Sequence, residues 1–176
     1  FLVFAGSQGS FDILNFFSKI INEIKKLPYL KKINFIVQCP IQMQIQIKDL
    51  LNNNNFNFEI KSFFHNFEDI LSKTNIALCR SGAGTISDLI NYKIPAIIIP
   101  LPASKYNHQF ENAKILSEIG CAILVDKETK ELDEILLFIR NVIDDKSFNR
   151  SLTNKYSKIK RYNANVLMWE HIQNDQ

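Results

Sequence analysis

Glycine, proline and cysteine are all scarce in this chain of 176 residues, at five, five and three copies. The cysteines, Cys39, Cys79 and Cys121, are odd in number, widely spaced and embedded in apolar runs. That pattern excludes a disulfide framework and shows no metal-ligand spacing; it predicts reduced, buried thiols of a cytoplasmic protein. No apolar run approaches the about 20 residues that cross a bilayer, and no signal peptide is visible. Neither sign of charge dominates: 21 Lys and Arg against 18 Asp and Glu leave a net charge of +3. This is too little to argue for a nucleic-acid partner, and the lysines gather on no single face. No Asp-x-Asp pair follows a strand-like run, and His65, His108 and His171 lack ligand-like neighbours, so neither a metal nor another cofactor is indicated.

What is present reads as a globular fold, with 46% hydrophobic and 22% charged residues. Short apolar runs recur as "FLVFA" (1–5), "INFIVQC" (33–39), "FNFEIKSF" (56–63), "NIALC" (75–79), "PAIIIPL" (95–101) and "CAILV" (121–125). Continuous apolar strands that alternate with amphipathic stretches predict a parallel sheet covered on both faces. "FDILNFFSKIINEI" has helical spacing, and so has "ELDEILLFIRNVID", with Leu132, Ile135, Leu136, Ile139, Val142 and Ile143 on one side. A last helix is expected from about Phe148 to Ile172, and "NNNN" at 52–55 reads as a surface turn. The expected fold is α/β: one doubly wound, Rossmann-like parallel sheet over residues 1–176. The opening on Phe1, directly in a strand, predicts the back half of a longer protein.

In such sheets ligands bind beyond the carboxyl ends of the strands. Four of the scarce glycines fall there, in "GSQGS" (6–10) and in "RSGAGTISD" (80–88). Glycines allow close backbone approach, and the helix that follows offers unpaired N–H groups to an anion. Gly82-Ala83-Gly84-Thr85-Ile86-Ser87 nearly fits a dinucleotide fingerprint, but the next strand ends in "PLPAS" with no acid for a ribose, which argues against NAD. A P-loop lysine is absent too. Thr85 and Asp88 have capping-box spacing; equally, Asp88 stands where a carboxylate could take ribose hydroxyls. After the fifth strand, Asn107 reads as a helix cap, and His108, Gln109 and Asn112 share one side of the first turn as a hydroxyl-reading surface. In "FFHNFED" (63–69), Phe63, Phe64 and Phe67 fit either the core or the flanks of a flat base.

Over essentially its whole length the chain resembles the C-terminal domain of the MurG family, GT-B glycosyltransferases that add N-acetylglucosamine to lipid I in peptidoglycan synthesis. The carriers, in this order, are "AGSQGS" (5–10), "ALCRSGAGTISDL" (77–89), "PAIIIPLP" (95–102) and "NHQFENA" (107–113). The resemblance implies that Ser7, Gln8 and Gly9 meet the diphosphate of UDP-GlcNAc. It places Phe64 at the uracil edge through its backbone, and Phe67 beside the base. Gly82, Ala83, Gly84 and Thr85 would line phosphate and sugar, Asp88 would take the ribose, and His108, Gln109 and Asn112 would face the hexose. Asp88 stands where the family more usually has Glu, His108 where Gln is common, and Ala5 replaces the first glycine of its turn. The implied enzyme is an inverting hexosyltransferase that needs no metal. Its lipid-linked acceptor, membrane-docking surface and catalytic base would belong to an N-terminal domain absent from this chain, at the inner face of the cell membrane. The chain alone would then be inactive, and the basic, aromatic-spotted end of its last helix would dock on that domain. Two alternatives stay open: a non-catalytic UDP-sugar-binding subunit that works with a separate partner, and a UDP-GlcNAc epimerase or hydrolase of the same architecture.

Overall fold

Each continuous apolar run becomes a strand, and the amphipathic stretches between them become helices. The computed structural model describes residues 1–4, 11–27, 30, 32–101, 108–125 and 132–159. Six strands, β1 (Leu2–Phe4), β2 (Asn34–Gln38), β3 (Asn57–Lys61), β4 (Ala77–Cys79), β5 (Ala96–Ile98) and β6 (Ala122–Leu124), alternate with helices. They pair in the order β3-β2-β1-β4-β5-β6, all parallel. The three central strands β1, β4 and β5 are buried at every position, while edge strand β3 alternates exposed and half-buried residues. That difference explains why the central runs are uninterrupted apolar sequence and β3 carries Glu59 and Lys61.

The helices are α1 (Phe11–Ile24), α2 (Ile41–Asn52), α3 (Phe67–Ser72), α4 (Ala83–Tyr92), α5 (His108–Glu118), α6 (Leu132–Asp144) and α7 (Lys146–Ser157). α1 packs with α2 and α6, and α4 packs with α3 and α5, which gives the two helical layers of a doubly wound sheet. α1 buries Ile13, Leu14, Phe17, Ile20, Ile21 and Ile24, each contributing about 1.5–3 kcal/mol of transfer free energy. α6 buries Ile135, Phe138, Ile139 and Val142, with Leu132, Leu136 and Ile143 packed at the margin. Asn53, Asn54 and Asn55 form the expected turn before β3, with Asn55 at φ 58°, a left-handed conformation that Asn tolerates. The three thiols are free and buried, and burial pushes that of Cys121 up to about 11. No helix among the described residues is long and apolar enough to cross a membrane.

The last helix begins at Lys146, where the Asp145 side chain caps it by accepting from the Ser147 and Phe148 amides. Its far end is held at the amino ends of the strands: the Tyr156 hydroxyl donates to the Ile94 carbonyl, and Cys121 Sγ donates to the Leu152 carbonyl. Tyr156 is therefore a core residue at 3% exposure and is not part of a docking face. The remainder of the expected run, from residue 160 on, lies outside the described residues.

The order of the strands reverses at β1 and β4, which are neighbours although two strands separate them in sequence. Connections leave this pair toward opposite sides, the topology at which open α/β sheets bind ligands beyond the carboxyl ends of their strands.

Candidate functional site

The β4 exit and the start of α4 form the centre of this rim. Gly82 is the helix N-cap, at φ −58° and ψ 150°, and no side chain caps the helix. The first intrahelical bond runs from the Ile86 amide to the Gly82 carbonyl at 3.0 Å. The amides of Ala83, Gly84 and Thr85 thus fall among the helix-start donors that have no intrahelical acceptor, at the positive end of the helix dipole. Ala83 and Gly84 are exposed. A Cβ built on Gly84 would meet nothing within 4 Å, so the space beside Gly84 is open.

The start at Ala83 also settles the capping box. Thr85 is the third residue of the helix, and Asp88 lies a further turn in, so their spacing performs no capping. Asp88 is half-buried, and its carboxyl is held above the usual carboxylate range, first by desolvation and then by the charge of Glu68 on α3.

α5 brings the second wall. The Gln109 Oε1 accepts from the Leu101 amide at 3.0 Å, which fixes the exit of β5. Asn112 Nδ2 donates to the Ser81 carbonyl at 3.0 Å, which ties α5 to the β4–α4 turn. Each amide uses one of its two polar ends in this way. His108 is exposed at the first turn, beside them. Asn107, expected as the cap of α5, lies outside the described residues, as do Ser7, Gln8 and Gly9.

The aromatic loop after β3 divides between core and surface. Phe64 is buried at 6%, with Lys61 Nζ 5.4 Å from its ring centroid. Phe67, half-buried at the start of α3, meets Phe4 at the end of β1 edge to face, 5.2 Å between centroids. Phe63 is the exposed ring, at 62%, and stands edge-on to His65.

One central residue escaped the reading of the sequence. Arg80, only 7% exposed, donates through Nη1 to the carbonyls of Ile99 and Pro100, each at 3.0 Å. Its Nη2 lies 3.3 Å from Asp12 Oδ2 in the first turn of α1. The available signal was a cation directly after the buried run "NIALC" and before a run of small residues. Ser81, fully buried beside it, has a hydroxyl with no partner among the described residues. Taken together, Arg80, Gly82, Ala83, Gly84, Asp88, Gln109 and Asn112 belong to the turns and helices that follow the neighbouring strands β4 and β5 at their carboxyl ends. No group of three or more candidate metal ligands occurs among the described residues.

The model of the glycosyltransferase family 28 C-terminal domain matches residues 1–166. The UDP-N-acetylglucosamine–N-acetylmuramyl-(pentapeptide) pyrophosphoryl-undecaprenol N-acetylglucosamine transferase of Rickettsia bellii is 37% identical over 124 residues, 68% of this chain and 33% of the relative. The enzyme of the same name from Rickettsia felis is 35% identical over 158 residues, 84% of this chain and 42% of the relative. Among solved structures, Acinetobacter baumannii MurG superposes with a TM-score of 0.66 at 22% identity, over 89% of this chain and 44% of that one. Glycosyltransferase VinC in complex with dTDP superposes with a TM-score of 0.58 at 16% identity, over 89% and 37%. The chain spans less than half the length of the curated relatives it matches.

Proposed function

The chain belongs to the glycosyltransferase family 28 C-terminal domains, and from that premise we propose that it is the donor-binding half of an inverting hexosyltransferase. The donor is UDP-N-acetylglucosamine, the sugar named in its relatives, and the acceptor is the lipid-linked muramyl-pentapeptide of the same names. One observation carries the reading. The start of α4 presents uncapped amides to open space at the point where the strand order reverses, with the Asp88 carboxylate one turn in.

An anion held there gains both the orphan N–H groups and the helix dipole. In the reaction, an acceptor hydroxyl attacks C1 of the sugar from the face opposite UDP. The bond from C1 to the diphosphate oxygen breaks as the new glycosidic bond forms, and the hydroxyl proton passes to a base of the acceptor domain. Negative charge grows on the departing diphosphate, where fixed amides stabilise it without reorganising. Ser7, Gln8 and Gly9 would hold the diphosphate from the β1 side. Phe64, through its backbone, and Phe67 would hold the uracil. Asp88 would accept the ribose hydroxyls, and the free ends of Gln109 and Asn112, with His108, would read the hexose.

Calorimetry with UDP-GlcNAc, UDP-glucose and UDP tests this assignment. We expect weak binding with preference for UDP-GlcNAc, and a loss of about tenfold in Asp88→Ala, the scale of a hydrogen bond to a charged group. The pH dependence has a defined sign. Because the carboxyl of Asp88 is raised, it gains its proton at a higher pH than an ordinary Asp, so affinity falls as pH drops through that raised value. Glu68→Gln removes one cause of the shift and moves the fall to lower pH. An Asp88→Ala protein that binds like wild type returns Asp88 to the surface.

A further inference from the structure

We infer that Arg80 is a positioning residue of the donor site, a clamp that sets the spacing of three rim elements where the sheet's own hydrogen bonds end. The inference rests on the donor-site reading above and adds to it a residue that touches no ligand in that reading.

The last backbone bond between the β4 and β5 exits runs from the Ile99 amide to the Cys79 carbonyl at 3.0 Å. Beyond it no further backbone bond joins these two exits among the described residues. The carbonyls of Ile99 and Pro100 are then left facing the interior, and both are taken by Nη1 of Arg80. One residue on, the Leu101 amide is taken by Gln109, and the Ser81 carbonyl by Asn112. Side chains therefore continue the joint that the backbone abandons. Among the described residues the guanidinium alone reaches the third element by a side-chain bond, through Asp12 at the start of α1, whose carboxylate is 72% exposed.

A buried cation is a costly way to fill this space. Apolar residues of similar volume often replace buried ion pairs with no loss of stability. The planar fork of Arg, however, fixes several acceptors in one geometry, which neither a methionine nor the point charge of a lysine can do. What Arg80 supplies beyond packing is the relative placement of α1, the β4–α4 turn and the β5 exit, the three positions from which the proposed diphosphate and hexose contacts come.

The test compares wild type with Arg80→Met and Arg80→Lys in this chain by thermal melting, UDP-GlcNAc calorimetry and amide hydrogen exchange. We expect Arg80→Met to fold but to melt below wild type, because the Ile99 and Pro100 carbonyls lose their donor. It should bind about tenfold more weakly, within the range for residues that act through a packed network, and exchange the Leu101 amide faster. Arg80→Lys, with one donor point, should recover only part of the affinity. Equal affinity in wild type and both variants overturns the positioning role and leaves the donor site standing. If neither variant folds, Arg80 is a requirement of the fold and the role is overturned as well. If wild type itself does not bind UDP-GlcNAc, the donor-site reading falls instead. The Leu101 amide then decides the clamp: faster exchange in Arg80→Met supports it, and unchanged exchange overturns it.

Discussion

At the residue scale, Ala83 separates a backbone contact from a side-chain one. Proline is tolerated at the first position of a helix, where its missing N–H would have no intrahelical partner. The residue before a proline must be extended, and Gly82 already has φ −58° and ψ 150°. Ala83→Pro should therefore melt at or above the wild-type temperature, yet lose UDP-GlcNAc affinity by about tenfold on the proposed reading, in which this amide donates to the ligand. A variant with wild-type affinity would show that this amide is not used. The same turn shows how far residue chemistry was legible. The glycine-rich stretch announced a strand-to-helix exit, and the exit is there. The capping box was misplaced because T-x-x-D fixes a spacing and not a helix start; the chain enters the helix at Ala83, before Thr85. Arg80 stayed hidden for another reason. Its burial depends on carbonyls 19 and 20 positions further on, and no local pattern around Arg80 contains them.

At the element scale, strands were the most legible feature, since parallel strands buried on both faces must be continuous apolar sequence. Edge strand β3 was still found because Phe56, Phe58 and Ile60 alternate toward the core. At the end of the chain Tyr156, one residue of the run expected to dock, is buried instead, and that run from residue 160 on lies outside the described residues. α7 braces the amino ends of the strands, whereas the candidate site occupies their carboxyl ends. The two ends of the sheet should therefore respond independently to mutation. Tyr156→Phe leaves the Ile94 carbonyl without its donor in a buried setting, which costs about 1–3 kcal/mol. In urea or thermal unfolding the variant should be destabilised by that amount, with UDP-GlcNAc affinity unchanged as long as the protein is folded. Loss of affinity at full folding would mean that the two ends are coupled and that α7 influences the donor site.

At the scale of the whole molecule, the described side chains that define the site approach from a single rim of one sheet. Displacement with inversion needs a nucleophile on the far side of the sugar from the departing UDP, and a base to take its proton. Groups that grip the donor from one rim cannot also stand opposite it. Because the chain spans less than half the length of its relatives, we propose that this second side is supplied from outside these 176 residues. The chain incubated with UDP-GlcNAc should accordingly bind it and release no UDP, and addition of a lipid-linked acceptor should change nothing. UDP release without an acceptor would favour a hydrolase or epimerase of this architecture, since water would then be the only nucleophile present or the sugar would react in place. Release that depends on the acceptor would show that this chain reaches both substrates by itself, and the division into a donor half and an acceptor half would be wrong.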